Sequence, residues 1–252
     1  MEHIVQDAGT GADLEAWATG QPSLKLHVEK DAGMYDAVNR GLRRAGGEIL
    51  AYLNCDEQYL PGTLNAVADF FARHPDVDVA FGNVVVVDAT GQYVCSREAS
   101  LPQLYHTWVC TLSVFTGATF FRRRVIDQHK LYFDDRWRDV GDAVWVLELL
   151  KRGISTASLG RFMTAFTDTG ENMNLKPNSL REQRRLRESA PRWAQALYPL
   201  WVLRHRLRRL FLGVYKPSKL TYSIFTRDSH ENRRTFVVDK PTFIWPGRFG
   251  KG

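Results

Sequence analysis

The sequence predicts an α/β protein with a mainly parallel sheet flanked by helices. Short apolar strand patterns alternate with amphipathic helix patterns along the first half of the chain. Three predicted strands are followed closely by acidic residues, at Asp7, Asp31 and Asp56. Ligands of such sheets bind outside the carboxyl ends of the strands, so these three carboxylates are predicted to converge on one ligand-binding rim.

The individual elements follow from local patterns. Strands are predicted for HIV, LKLHV, ILAYLN and VDVAFGNVVVVD, and the last is predicted to pair with GQYV as a hairpin. Helix patterns follow the first three strands, and Gly46 and Gly47 end the second helix. TGATFFRRRVI predicts a strand that enters a short helix. Val144, Leu147 and Leu150 then recur at three-residue steps and predict the apolar face of a later helix.

Composition favours a folded chain in a reducing compartment. Hydrophobic residues make up 44% and aromatic residues 12% of the 252 positions, which is ample for a core. Cys55, Cys95 and Cys110 are odd in number and far apart, so they fit neither a disulfide framework nor a CxxC metal site. We therefore predict a cytoplasmic location. There is no uncharged run of 18 residues, so no membrane span is predicted.

Charge divides the chain into two parts. From Lys176 onward 18 Lys and Arg stand against 5 Asp and Glu, a balance of +13. Residues 1–175 carry the remaining 16 basic and 23 acidic side chains, a balance of −7. We predict an α/β domain over residues 1–175 and a basic C-terminal extension over residues 176–252. Basic residues confined to one end of the chain indicate a segment that docks the protein on a partner or a surface.

The extension contains a basic amphipathic helix pattern, PLWVLRHRLRRLFLGVY. Its apolar residues fall on one side and its arginines elsewhere, which suits the plane of an anionic membrane surface. Residues 200–215 are the predicted contact. The alternative, equally weighted, is a helix that packs on the domain and leaves an arginine face in water. No nucleic-acid module or ordered aromatic platform is recognisable, so membrane docking is preferred to nucleic-acid binding.

Polar residues interrupt the chain where an apolar strand ends. ILAYLN runs directly into Asp56 and Glu57, and Asp142 stands in the first turn of a later helix. Placing charged side chains at the edge of a core costs desolvation free energy. Binding of a ligand would explain why the chain has them there. Taken singly, an Asp of this kind is as well explained as a turn former or a helix cap.

These segments resemble the family 2 glycosyltransferases of the GT-A fold over roughly Glu2 to Gly153. EKDAGMYDAVNRGLRRAGGEILAYLNCDE is similar to the E-x-D-x-G-x-Y-D-A-x-N-x-G stretch and metal-binding strand end of bacterial members that build surface polysaccharides. TGATFFRRRVI and FDDRWRDVGDAVWVLELLKRG resemble the acceptor-side segment and the base-bearing helix of that family. Neither G-x-G-x-x-G nor G-x-x-x-x-G-K-[ST] follows a strand, so dehydrogenase-like and P-loop classes are disfavoured.

The resemblance implies transfer of a sugar from a nucleoside-diphosphate sugar to an acceptor hydroxyl, inverting and metal-dependent. Asp142 matches the catalytic base. The acceptor would be a glycan or a lipid-linked molecule in cell-surface polysaccharide or glycolipid synthesis. The cysteine pattern and the basic helix pattern together predict a cytoplasmic protein, with peripheral attachment to the cytoplasmic face of the membrane as the membrane-bound form.

The resemblance also implies the binding residues. Asp7 would meet the nucleobase and Asp31 would line the nucleotide pocket. Asn54 and Asp56 occupy the family's D-x-D position, and Asn54 would bond a ribose or water because it carries no charge. Asp56, with Glu57 as a second contact, would bind Mg²⁺ or Mn²⁺, since these ions prefer oxygen ligands.

One departure from the family pattern affects stability. Family members begin with a further central strand, loop and helix, whereas this chain begins at what corresponds to the second strand. We expect unpaired strand edges beside that position, and low stability or weak activity of residues 1–252 alone. The alternative function is a degenerate, non-catalytic glycosyltransferase-like scaffold or partner-binding module.

Overall fold

The computed structural model describes residues 1–170 and 176–246. The strands within these residues are β1 His3–Asp7, β2 Leu24–Val28, β3 Ile49–Leu50, β4 Glu57–Tyr59, β5 Val79–Asp88, β6 Tyr93–Arg97, β7 Thr119–Arg122, β8 Thr156–Asp168, β9 Leu220–Thr226 and β10 Ser229–Val238. The α-helices are α1 Ala12–Thr19, α2 Met34–Arg44, α3 Thr63–Arg73, α4 Leu104–Val109, α5 Arg124–Asp127, α6 Gly141–Lys151, α7 Pro177–Glu188, α8 Arg192–Ala196 and α9 Tyr198–Phe211.

The central sheet is mixed rather than mainly parallel, so that part of the fold prediction was wrong. Its strand order is β3-β7-β5-β8-β4, with β6 paired to β5. Only β5 and β8 run parallel, while the other four pairings are antiparallel. The apolar run of β5 indicates burial on both faces, and a central strand of a mixed sheet meets that requirement as well as a parallel one does. The α/β class itself is confirmed.

Strands β1 and β2 form a separate parallel pair. Within the described residues no strand pairing joins this pair to the central sheet. The β1–α1–β2 unit contains no fully buried side chain. Polar contacts attach it to the end of α2: Glu2 Oε2 accepts from Gly46 N–H at 2.7 Å, and Arg44 pairs with Glu29 at 2.7 Å.

The two faces of the central sheet carry separate cores. Phe121 of β7 packs with Trp145 and Leu149 of α6 on one face. The next residue back, Phe120, points to the other face and packs with Phe71 of α3. This alternation is the two-residue period of a strand buried on both sides.

Some predicted core residues lie outside the core. Helical spacing predicts a shared apolar face for Met34 with Leu42 and for Leu64 with Phe71. Met34 and Leu64 nevertheless remain 43% and 42% exposed. On α2 the buried side chains are Tyr35, Asn39 and Leu42. On α6 the fully buried side chains include Leu147 but also Trp145, Val146 and Leu149, so the predicted face was wrong by about one residue step.

The C-terminal extension packs against the α/β domain. Tyr222 and Ile224 of β9 join the core residue Val85 of β5, and Leu186 of α7 contacts the cluster of Trp137 and Leu147. The division at residue 175 stays a prediction, and residues 171–175 beside it lie outside the described part. Among the described helices, none combines the length and apolarity that a membrane span requires.

Candidate functional site

A cavity of about 670 Å³ lies between α4, α6, α7 and the turn that follows β3. This volume is in the usual range for small-molecule sites. Its acidic lining residues are Asp56, Glu57, Asp139, Asp142 and Asp168. Its other charged and aromatic lining residues are Arg97, Arg138, Arg187, Tyr35, Tyr52, Trp108, Phe115, Phe166 and Trp245. The cavity therefore combines carboxylates, guanidinium groups and rings.

The predicted site residues separate into two groups. Asn54, Asp56, Glu57 and Asp142 line the one cavity, although 86 positions separate Asp56 from Asp142. Asp7 and Asp31 form the second group, and neither residue lines the cavity. The predicted single rim of a parallel sheet is therefore not what brings the cavity carboxylates together.

The carboxylates of the second group make local contacts. Asp7 Oδ2 accepts from the backbone N–H groups of Gly9 and Thr10, at 2.8 and 2.7 Å. Asp31 Oδ1 accepts from Gly33 N–H at 2.9 Å. These are the turn-forming roles that the sequence left open as an alternative. Contact of Asp7 and Asp31 with a nucleotide stays a prediction.

Glu57 is held in a buried position at the start of β4. Its side chain is only 7% exposed, and burial raises the pKa of its carboxyl to about 7. The carboxylate lies against Gly117, where an added Cβ would stand 2.1 Å from Oε2. Gly117 thus leaves the space that Glu57 occupies.

Asp56 and Glu57 fit a divalent cation whose shell is completed by other oxygens. Asp56 is exposed, while the buried carboxyl of Glu57 would gain from a nearby positive charge. The described residues contain no cluster of three or more His, Cys, Asp or Glu that would form a complete protein site. Two carboxylates suffice for Mg²⁺ or Mn²⁺ when phosphate oxygens supply further ligands.

Asp142 is fixed at the first turn of α6. Its backbone N–H donates to Tyr35 Oη at 3.0 Å, and its Oδ1 accepts from Ala143 N–H at 2.7 Å. The Tyr35 ring lies directly against Gly141, where a Cβ would stand 2.5 Å from the ring. The residue at the N-cap position is Val140, so the alternative of Asp142 as the N-cap is not observed. Burial raises the pKa of the Asp142 carboxyl to about 6.

Glu182 of α7 holds the loop that precedes Asp142. Its carboxylate accepts from the backbone N–H groups of Arg138, Asp139 and Val140, at 2.9, 2.9 and 3.2 Å. These bonds depress the pKa of Glu182, although its own desolvation opposes them. Sequence reasoning missed this role because α7 was assigned to a basic extension. An acidic residue inside an arginine-rich helix was the available signal.

Tyr52 brings a second tyrosine hydroxyl to the cavity. Its Oη is buried in the wall of the cavity. Burial raises the pKa of this phenol, and the charges of Asp142 and Glu57 raise it further. The phenol therefore stays protonated and neutral at ordinary pH.

The arginine run after β7 has a structural role. Arg122 donates to the backbone oxygens of Val77 and Phe71, at 2.9 and 2.6 Å. Arg123 donates to Gly47 O at 2.8 Å, and Arg124 pairs with the carboxylate of Asp78. None of the three arginines lines the cavity.

The family is identified by the first half of the chain. Residues 6–130 match glycosyl transferase family 2, a range that includes the strand end with Asp56 and Glu57. These residues form a glycosyl transferase family 2 domain. The candidate base, Asp142, lies just beyond the matched range.

Named relatives match parts of this chain. It is 39% identical over 64 residues to the PGL/p-HBAD biosynthesis glycosyltransferase of Mycobacterium bovis, which covers 25% of each chain. It is 25% identical over 142 residues to the amylovoran biosynthesis glycosyltransferase AmsE of Erwinia amylovora, which covers 52% of this chain and 53% of AmsE. The chain thus spans between a quarter and about half of the length of these relatives.

Solved structures confirm the GT-A fold. The structure of S. aureus TarS 1-349 in complex with UDP matches with a TM-score of 0.54 and 17% identity, over 83% of this chain and 62% of that one. The complex of TarS 1-349 with UDP-GlcNAc matches equally, with a TM-score of 0.54 and 17% identity over 83% of this chain and 64% of that one. At this identity the likeness extends to the fold.

Proposed function

We propose that this protein transfers a sugar from a nucleoside-diphosphate sugar to an acceptor hydroxyl, with inversion at the anomeric carbon. The observation that carries the proposal is the shared cavity of Asp56, Glu57 and Asp142. It combines a cation-binding carboxylate pair with a separate candidate base. The family 2 domain supports the same reaction class.

Asp142 is the proposed general base. With a pKa of about 6 its carboxyl is ionised at neutral pH, yet basic enough to accept the proton of an attacking hydroxyl. Tyr35 fixes its backbone, and Glu182 fixes the loop that precedes it. Direct attack on the face opposite the leaving diphosphate gives the inverted product.

Asp56 and Glu57 are the proposed ligands of Mg²⁺ or Mn²⁺. When bound, such an ion neutralises the charge that develops on the departing diphosphate. Asn54 lines the same cavity and is proposed to bond the ribose or a water. Asp7 and Asp31 are proposed nucleotide contacts, which require the nucleotide to extend beyond the cavity toward β1 and β2.

The donor and acceptor are proposed by class. The matching TarS structures are complexes with UDP and UDP-GlcNAc, so uridine nucleotides come first in a donor screen. AmsE is named for amylovoran biosynthesis, which supports a glycan or lipid-linked acceptor in surface-polysaccharide or glycolipid synthesis. We propose that the reaction takes place at the cytoplasmic face of the membrane.

A matched pair of variants tests the role of Asp142. Asp142→Asn is expected to lower turnover by about 10²–10⁴-fold, the usual contribution of a general base. Asp139→Asn is the control, because Asp139 lines the same cavity and bonds the Asn178 amide instead. Near-normal turnover of folded Asp142→Asn would refute the assignment. A chain that binds no nucleotide sugar, with or without Mn²⁺, would instead be the scaffold alternative.

A further inference from the structure

Helix α9 presents an apolar stripe to solvent. Successive residues of a helix are rotated by about 100°, and on α9 this rotation brings five large apolar side chains into about one third of the helix circumference. The stripe consists of Leu200, Leu203, Leu207, Leu210 and Phe211. All five are exposed, from 44% for Leu207 to 86% for Phe211. Val214, which the sequence placed on the same side, lies beyond the end of α9 and is buried.

The opposite side of α9 attaches the helix to the domain. Trp201 stacks on Tyr105 with ring centroids 5.1 Å apart, and His205 stacks on His106 at 3.9 Å. Arg208 donates to Leu101 O at 2.9 Å. The helix does pack on the domain, but through this inner side. The leucine stripe therefore faces outward, and none of the residues that the structure describes covers it.

Positive charge flanks the stripe on both sides. Arg204 and Arg206 are exposed, and the helical rotation places one on each edge of the leucine sector. From Ser189 to Arg227 the sequence contains eight Lys and Arg and no Asp or Glu. A second copy docked on this stripe would bring arginines against arginines without acidic partners. The stripe needs an apolar surface to cover its leucines and negative charge near its arginines. An anionic bilayer supplies both, because its acyl chains are apolar and its headgroups carry negative charge.

We propose that α9 docks this protein on an anionic bilayer. The helix lies in the plane of the interface, with the leucine stripe in the boundary between headgroups and acyl chains. Arg204 and Arg206 reach lipid phosphates at its edges. At 14 residues α9 is about 21 Å long, too short to span the hydrocarbon core but sufficient to lie on it.

Docking would also orient the cavity. The inner side of α9 packs on α4, and Trp108 and Val109 of α4 line the cavity. One helix layer thus separates the lipid-facing stripe from the cavity wall. A lipid-linked acceptor would then reach the cavity at the level of the lipid headgroups. This consequence rests on the proposed glycosyl transfer, whereas the docking of α9 does not.

Co-flotation of the full chain with vesicles tests the docking. We expect flotation with vesicles of phosphatidylcholine mixed with phosphatidylglycerol, weak flotation with phosphatidylcholine alone, and loss of binding in high salt. Leu203→Glu combined with Leu207→Glu should abolish flotation. Arg204→Gln combined with Arg206→Gln should weaken it about fivefold per arginine. Leu64→Glu is the matched control, since Leu64 is equally exposed but lies on α3.

Two results would overturn the proposal. One is equal flotation of the wild type and the double Leu→Glu variant. The other is a wild-type dimer that becomes monomeric in that variant while neither floats, which would make the stripe a self-association surface. Thermal unfolding verifies that each variant is folded. Donor binding measured without vesicles should match the wild type in all variants, so failure of docking and failure of the proposed glycosyl transfer are distinguishable.

Discussion

The carboxyl groups of Asp142 and Glu57 line the same cavity, and burial raises the pKa of both. Their surroundings nevertheless differ. Asp142 is bonded to the first turn of its own helix, whereas Glu57 lies against Gly117 beside the exposed Asp56. Environment rather than residue type thus divides them into a candidate base and a candidate cation ligand.

The ionisation of Asp142 predicts the pH dependence of turnover. A base acts in its deprotonated form, so kcat/KM should rise with pH and level off above an apparent pKa of about 6. The measurement is kcat/KM against pH at saturating Mn²⁺. A profile that stays flat as the pH falls from neutral to about 5 would argue against a base with this pKa.

Glu182 is predicted to act as a positioning residue. Glu182→Gln keeps one acceptor oxygen but loses the charge that binds three backbone N–H groups before Asp142. We expect kcat to fall about tenfold with donor affinity unchanged, because only the placement of the base is loosened. Glu188→Gln, at the exposed end of the same helix, is the control. Equal kcat for both variants would show that the loop does not need this carboxylate.

At the scale of elements, substitution of two glycines distinguishes the geometry of the site from the packing of the sheet. An alanine at Gly117 would place its methyl 2.1 Å from Glu57 Oε2, and one at Gly82 would place it 2.4 Å from Met163 Cγ. Gly117→Ala should displace Glu57 and lower Mn²⁺-dependent donor affinity, by up to about 10²-fold for a 1 Å shift. Gly82→Ala should lower stability by about 1–3 kcal/mol with donor affinity retained.

Calorimetric titration and thermal unfolding of both variants check this pair. If Gly117→Ala binds donor with Mn²⁺ as tightly as the wild type does, the present position of Glu57 is not needed for cation binding. Gly82 does not line the cavity, so its variant reports packing alone.

Local patterns predicted the existence of elements better than their partners. The first two strand–helix units, the hairpin of β5 with β6, and α6 lie where periodicity and turn residues place them, whereas only Ile49–Leu50 of the predicted strand ILAYLN forms β3. Strands β4 and β8 were missed, since β4 is three residues long and the sequence of β8, TASLGRFMTAFTD, mixes polar residues and a glycine without strict alternation. The predicted strand direction was wrong because β7, which the sequence did predict as a strand, runs antiparallel to both β3 and β5. Pairing depends on distant segments, which local pattern does not encode.

The candidate site shows the same limit. Asp56, Glu57 and Asp142 were found because the family motif marks them. Tyr35 and Glu182 act through contacts with residues 107 and 43 positions away, which no local signal reveals. The exposed side of α9 was also undecided in the sequence, because periodicity separates two helix faces without stating which one packs.

At the scale of the whole molecule, the stacked histidines couple α4 to α9. Burial lowers the pKa of both His106 and His205 to about 4. The unfolded chain takes up these protons below pH ~6.5 while the folded chain excludes them until about pH 4. The neutral histidine pair therefore contributes fully to the free energy of unfolding above pH ~6.5, and this contribution is lost as the pH falls toward about 4.

His106→Phe should make stability less sensitive to acid. The variant keeps an aromatic ring for the stack but removes one group that takes up a proton on unfolding. Relative to neutral pH, the free energy of unfolding at about pH 5 should fall by about 1 kcal/mol less than in the wild type. Urea unfolding at the two pH values provides the measurement. Identical losses in both proteins would mean that the histidine pair does not govern acid stability.

The shared cavity predicts that a nucleoside diphosphate and a divalent cation bind together, with Asp56 and Glu57 as the link. Calorimetric titration of the full chain with UDP-sugars, with Mn²⁺ present and then chelated, tests this most directly. We expect binding that requires Mn²⁺ in the wild type and is lost in Asp56→Asn, while Asp142→Asn binds normally. Donor binding that is unaffected by both chelation and Asp56→Asn would contradict the proposed site.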